Sequence, residues 1–259
     1  MTGPTPYAEL NRLLAEIASH SRATFGPDLV GMYLVGSFAT GDADEQSDCD
    51  FLVVLRELPS GAAEQAVRDL WAELPRREGK WTHDLEGSYA LFSDLADNAT
   101  IGRPWFYVDH GHTELSWDEH CNREVVRWTL HEHGVTLSGP DPREFTAPVP
   151  AELVRDRMRR DLPTLLPDIL SWAPTEVAWT QRYVVATCSR VLYSLVTGEV
   201  TSKRRALEWA MAALEPRWRP LLEQVRDDRA LSWNDPPRPG SLEEAFAFVA
   251  RCQEWAAGG

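Results

Sequence analysis

Asp48 and Asp50 stand one residue apart at the head of an apolar run, Phe51–Leu55, and Gly36-Ser37 closes another apolar run ten residues earlier. Side chains alternate faces along a strand, so positions i and i+2 project the same way. Two carboxylates held about 7 Å apart by the strand rise repel each other. A hard divalent cation such as Mg2+ relieves that repulsion and takes oxygen ligands. Gly36 permits close backbone approach, and the Ser37 hydroxyl with the amides beyond it suits phosphate oxygens. An isolated Asp-x-Asp reads as a solvated strand end. Preceded by strand-Gly-Ser at this distance, the pair reads as a site for metal-assisted phosphate chemistry.

Gly-Ser followed at this spacing by Asp-x-Asp resembles the signature of the nucleotidyltransferase superfamily. The resemblance implies a small mixed sheet with flanking helices and metal-assisted transfer of a nucleoside monophosphate from a nucleoside triphosphate to a hydroxyl. It also implies a third carboxylate on a neighbouring strand, beyond the next helix. The segment Trp81–Phe92 has strand character, and alternation places Asp84 and Glu86 together on one face with Leu85 on the other. Asp48, Asp50 and Glu86 are therefore the expected catalytic and metal-holding set, for two Mg2+ ions with ATP as co-substrate. Glu86 is the expected base, and Asp84 competes for that role or for substrate contact. A carboxylate is a weak base for an alcohol, but coordination or hydrogen bonding of the hydroxyl and late proton loss reduce the mismatch. Ser47, next to the aspartate pair, joins Gly36 and Ser37 among the expected nucleotide contacts.

The elements that must position these residues follow from periodicity. Residues 7–24 predict a helix with Leu10, Leu13, Leu14, Ile17 and Ala18 on one face, and Gly61–Arg77 predicts another through Ala62, Ala66, Leu70 and Leu74. Leu29–Val35 and Phe51–Leu55 have strand length and composition. Pro104–Val108 and Val135–Leu137 are further strand candidates, separated by a helix over Glu119–His133 that ends at Gly134. The proline-rich stretch 139–150 marks the best boundary. Beyond it, segments 151–172, 175–197, 202–214, 216–229 and 241–256 all read as helix, the second ending at Gly198 and the last opening on a Ser241/Glu244 capping box. The expected fold class is α+β: a mixed-sheet catalytic domain over residues 1–148, then an all-α helical bundle over 149–259.

A closer resemblance spans both parts. Thr187–Gly198 and Ser202–Met211, with Leu34–Ser37 and Asp48–Leu52, resemble the aminoglycoside adenylyltransferases that modify streptomycin at its 3″-hydroxyl and spectinomycin at its 9-hydroxyl. The resemblance implies that Arg190 and Lys203 contact the ATP phosphates, that Glu86 is the base, and that an acidic residue opening the same helix as Arg190 holds the substrate's basic groups. The nearest match for that acid is Glu176, where the family has Asp. Trp172 and Trp179 flank Glu176 and suit a lid over a cation, and Trp172 is carried as a substrate contact. The family's drug-stacking tryptophan has no counterpart: Gly111-His112 occupies its distance, between Trp105 and Trp117. His110, His112, His120 and Cys121 lack an established zinc spacing and are expected to line a pocket or lie on the surface. Two other readings compete. One keeps the chemistry but modifies a protein partner, as in toxin–antitoxin pairs, and the other is a non-catalytic nucleotide-binding module.

Composition narrows the partners. The net charge of −14 falls entirely in residues 1–150, where 11 Lys and Arg face 25 Asp and Glu, while the remainder holds 15 of each. An acidic catalytic half suits metal ions and a polycationic small substrate, and argues against a nucleic-acid partner, which needs a basic face. Arginine clusters at 155–160 and 203–205 could meet a triphosphate. No run of 18 apolar residues and no signal segment occurs, so a cytoplasmic protein without membrane attachment is expected, as a monomer or weak dimer. Cys49, Cys121, Cys188 and Cys252 are scattered and expected to be reduced, and the eleven tryptophans are expected to be mostly core.

Overall fold

The computed structural model describes residues 3–230 and 235–258. The chain divides into two compact units, Met1–Val149 and Pro150–Gly259. In the first, helix α1 (Ala8–Phe25) leads into strand β1 (Leu29–Leu34), a single helical turn α2 (Gly36–Ala39), strand β2 (Cys49–Leu55), helix α3 (Gly61–Glu73) and strand β3 (Leu85–Leu91). A short α4 (Phe92–Leu95), strands β4 (Trp105–Val108) and β5 (Leu115–Asp118), helix α5 (Glu124–His133) and strand β6 (Val135–Ser138) complete the unit. The sheet order is β5-β4-β3-β2-β1-β6, with only the β2–β3 pair parallel, as its crossover through α3 requires.

Both faces of the central strands are covered, which is why Phe51–Leu55 is continuously apolar. Phe51, Val53 and Leu55 pack with Leu10, Leu14 and Ile17 of α1 and Val67 and Trp71 of α3. Leu52 and Val54 face the other way, with Tyr33, Ala90, Tyr107 and Leu130 of α5. Asp50 shares the parity of Leu52 and Val54, and Glu86 that of Ala90, so both belong to the α5 face.

Two expected boundaries move. The strand expected from Trp81 begins only at Leu85, because the Thr82 hydroxyl donates to the carbonyls of Arg77 and Gly79 and closes a turn. The helix expected from Glu119 begins at Glu124, since 115–118 pair with β4 and Asp118 then caps the His120 amide at 2.7 Å. The strand Leu115–Asp118, just ahead of the expected helix, was not foreseen.

In the second unit, α7 (Ala178–Thr197) packs against α6 (Ala151–Leu170), α8 (Lys203–Ala213), α9 (Arg219–Asp227) and α10 (Ser241–Gly258). Gly198 ends α7 in a left-handed conformation, φ 75°, where added side-chain bulk would strike Ala151. Pro163 and Pro167 lie inside α6, and Pro167 leaves the Pro163 carbonyl without its helical donor. The Gln253 amide from α10 donates to the Leu162 and Pro163 carbonyls at 2.9 and 3.4 Å. The Ser241/Glu244 capping box does not form: the Glu244 amide bonds the Gly240 carbonyl, and the Ser241 hydroxyl is used on Gln181 and Arg238. Among described residues, no helix is long and apolar enough to cross a membrane.

Candidate active site

The acidic centre is assembled by strand register. Asp48 immediately precedes β2, Asp50 lies in it, and Glu86 on β3 is the register partner of Asp50. Paired positions on neighbouring strands point to one face, so the three carboxylates gather. One oxygen from each lies within 4.8 Å of the others. This is a hard-oxygen donor set that fits a divalent cation.

Gly36 and Ser37 frame it. Gly36 has φ 59°, and a Cβ there would fall 1.8 Å from Asp50 Oδ2, so no other residue lets the loop pass over this carboxylate undisturbed. The Val35 amide fixes the Asp50 carbonyl at 3.0 Å. The Ser37 hydroxyl is buried without a hydrogen-bond partner among the described residues, the condition of a donor kept for a ligand. Ser47 differs. Its hydroxyl is used within the turn, accepting from the Asp44 amide at 3.0 Å, and its carbonyl takes Lys80 at 3.1 Å.

Asp84 stands apart from the triad. Ahead of β3, its carboxylate pairs with Lys80 and, at 2.7 Å, with His110. The Glu86 carboxylate has two partners of another kind: Tyr107 Oη donates to its Oε1 at 3.1 Å, and His120 Nε2 lies 2.9 Å from the same oxygen. Hydrogen bonding to Glu86, reinforced by the charges of Glu86, Asp118 and Asp50, raises the His120 imidazole above its ordinary value against the opposing effect of burial. Burial, then the charges of Glu86 and Asp109, pushes the Tyr107 phenol up and keeps it a neutral donor. Neither residue was expected in this role. Tyr107 follows from the Ser88–Tyr107 pairing of β3 with β4, and His120 from the turn after the unforeseen β5. His110, His112, His120 and Cys121 are not brought together as a metal-ligand group.

In the helical unit, Arg190 is half-buried on α7 and has no hydrogen bond or ion pair among the described residues, whereas Lys203 Nζ sits 5.1 Å from the centre of the Tyr183 ring. Arg155, Arg157 and Arg159 pair with Glu152, Asp156 and Asp161 of their own helix. Glu176 is exposed two residues ahead of α7 and accepts from the Thr175 hydroxyl at 3.1 Å. Trp172, 57 % exposed, Trp179 and Tyr183 form one aromatic cluster, with Trp179 stacked on Tyr183 at 4.6 Å. The cation over this cluster is thus Lys203. The expectation of mostly buried tryptophans is corrected: Trp71, Trp81, Trp105 and Trp218 are buried, while Trp117, Trp172 and Trp255 are exposed and Trp233 lies outside the described residues. Trp105 is sealed in the core, donating to Asp94 at 3.0 Å.

The family described as "Nucleotidyltransferase domain" matches residues 15–90, and "Aminoglycoside adenylyltransferase, C-terminal domain" matches residues 144–252. An aminoglycoside (3″)(9) adenylyltransferase of Shigella flexneri is 26% identical over 267 residues, covering 93% of this chain and 94% of its own. A spectinomycin 9-adenylyltransferase of Staphylococcus aureus is 26% identical over 234 residues, covering 78% of each chain. Among solved structures, a spectinomycin adenyltransferase from Enterococcus faecialis, crystallised with ATP and spectinomycin, superposes with a TM-score of 0.71 at 12% identity over 95% of this chain and 98% of its own. That likeness shows the shared fold.

Proposed function

Because the chain is an aminoglycoside adenylyltransferase-like member of the nucleotidyltransferase superfamily, we propose that it moves AMP from Mg-ATP to a hydroxyl of a cationic aminoglycoside or aminocyclitol of the streptomycin or spectinomycin type. The observation that carries the chemistry is the gathering of Asp48, Asp50 and Glu86 through the parallel Asp50–Glu86 register. These three residues would hold divalent cations, two Mg2+ ions in this reading, which when bound neutralise phosphate charge and stabilise the attacking and leaving oxygens. Glu86 accepts the proton of the acceptor hydroxyl. The hydroxyl oxygen bonds to the α-phosphorus as the bond to the bridging α–β oxygen breaks, and pyrophosphate departs.

The other residues bind and orient. Gly36 lets the loop pass close to Asp50, and the Ser37 hydroxyl is available to a phosphate oxygen. Arg190, unpaired among the described residues, and Lys203 supply charge-assisted donors to the triphosphate. Glu176, Asp84 and Trp172 receive the basic groups of the acceptor. In this reading residues 1–148 form the catalytic domain and 149–259 the domain that contributes nucleotide and substrate contacts. The protein acts as a monomer or weak dimer in the cytoplasm, where ATP is supplied, and the acidity of its first half is unsuited to nucleic acid.

Magnesium-dependent pyrophosphate release from ATP, measured with spectinomycin and with streptomycin, tests the proposal. Turnover with either, and an acceptor mass increased by one adenylyl group, is expected. ATP binding without turnover by any aminoglycoside or aminocyclitol contradicts it.

A further inference from the structure

Among the described residues, Glu86 is held by one oxygen only. Tyr107 Oη, on β4, and His120 Nε2, in the turn after β5, both meet Oε1, at 3.1 and 2.9 Å. The two donors are themselves joined, since the His120 ring lies against the Tyr107 ring with centroids 5.5 Å apart and an interplanar angle of 34°. The single Tyr107 hydroxyl proton is shared between Glu86 Oε1 and Asp109 Oδ1, 3.2 Å away, and Asp118 fixes the backbone ahead of His120. A carboxylate on a two-bond stem has freedom about its terminal torsion. Two donors converging on one oxygen remove that freedom and leave the other oxygen as the one available to a reacting proton or a cation.

We propose that Tyr107 and His120 form a clamp that positions Glu86, so that they are positioning residues for adenylyl transfer though neither belongs to the Gly-Ser/Asp-x-Asp motif. This rests on the reading of Glu86 as the base. Tyr107 is 8 % exposed and gives the rigid half of the clamp; His120, with a side chain 60 % exposed, gives the half reachable from solvent. Groups that orient a site's working ligand typically change activity or metal affinity by about 10- to 100-fold when removed. Misplacement of a reacting group by about 1 Å has a comparable effect.

The test compares wild type with Tyr107→Phe, His120→Ala, His120→Gln and the Tyr107→Phe/His120→Ala pair, using spectinomycin-dependent pyrophosphate release and, without ATP or acceptor, Mn2+ affinity by electron paramagnetic resonance. The pair is expected to lose about tenfold or more in kcat with KM for ATP within about twofold, and to bind Mn2+ at least about threefold more weakly. His120→Gln keeps an N–H donor and is expected to recover most of what His120→Ala loses. A pair that matches wild type in kcat and in Mn2+ affinity overturns the clamp, as does a His120→Gln variant as impaired as His120→Ala. If the pair does not fold, the two exposed His120 variants decide by the same criteria. Glu86→Gln in the same assay separates the two layers: an active Glu86→Gln removes the base reading itself, whereas an inactive one beside an unimpaired pair removes only the clamp.

Discussion

Asp50 and Glu86 face each other as register partners on the only parallel strand pair of the sheet, with their carboxylates on the α5 face. A parallel pairing demands a crossover, and α3 supplies it. The helix between the Asp-x-Asp pair and the third acid is therefore the connection that lets two separate segments contribute to one centre.

Gly36 depends on that arrangement. Gly36→Ala places a methyl group 1.8 Å from Asp50 Oδ2 at φ 59° and must displace the carboxylate or the loop. It is expected to lower adenylyl transfer by about 100-fold, the consequence of a misplaced reacting group. Gly41→Ala has a similar φ of 73° but nothing within 4 Å, and is expected to cost about 1 kcal/mol of stability with activity kept. Kinetics and thermal melts of the two variants side by side check this contrast.

Arg190 and Lys203 are predicted to act on the nucleotide alone. Truncating either to alanine removes a charge-assisted donor worth about 1.5–3 kcal/mol, so the Kd for ATP should rise about tenfold or more while secondary structure is unchanged. Isothermal titration calorimetry measures it, and an unchanged ATP affinity for both variants removes them from the site.

The four thiols are predicted to be silent in the native protein. All are buried, and burial raises the Cys49 and Cys121 thiols well above their usual range; Cys188 is raised first by its hydrogen bond with Cys252 and then by burial. A raised thiol pKa leaves little thiolate at pH 8. Ellman's reagent should label none rapidly in buffer and all four in guanidinium.

Arg127 is predicted to matter for stability. It is 2 % exposed and donates to Asn122 Oδ1, the Asp94 and Asp97 carbonyls and the Thr100 hydroxyl. Arg127→Ala leaves these acceptors unmatched and should cost about 3 kcal/mol or more, read as a lowered denaturation midpoint.

Much of the centre was legible because its signals are local. Alternation in Phe51–Leu55 and Leu85–Leu91 puts Asp50 and Glu86 on defined faces, and the separation of the two strands by a helical stripe signals the crossover. Tyr107 and His120 were not legible as partners of Glu86. They reach it through the β3–β4 register and through a strand, Leu115–Asp118, whose pairing is set by tertiary contact rather than by its own short pattern. Alternation over Trp81–Phe92 alone puts Asp84 on the same face as Glu86. The Thr82-closed turn ends that equivalence and hands Asp84 to Lys80 and His110. Tryptophan depth also escaped the sequence, since Trp105 and Trp117 lie on paired strands at opposite extremes of exposure.

The most direct measurement is single-turnover adenylyl transfer by Glu86→Gln beside Asp84→Asn, with the Kd for Mg-ATP determined on the same samples. A positioned general base contributes about 10²–10⁴-fold, so Glu86→Gln should lose at least about 100-fold in rate while still binding Mg-ATP, and Asp84→Asn should stay within about threefold in rate at saturating acceptor. Transfer by Glu86→Gln within about tenfold of wild type would contradict the assignment of the base that the Asp50–Glu86 register supports.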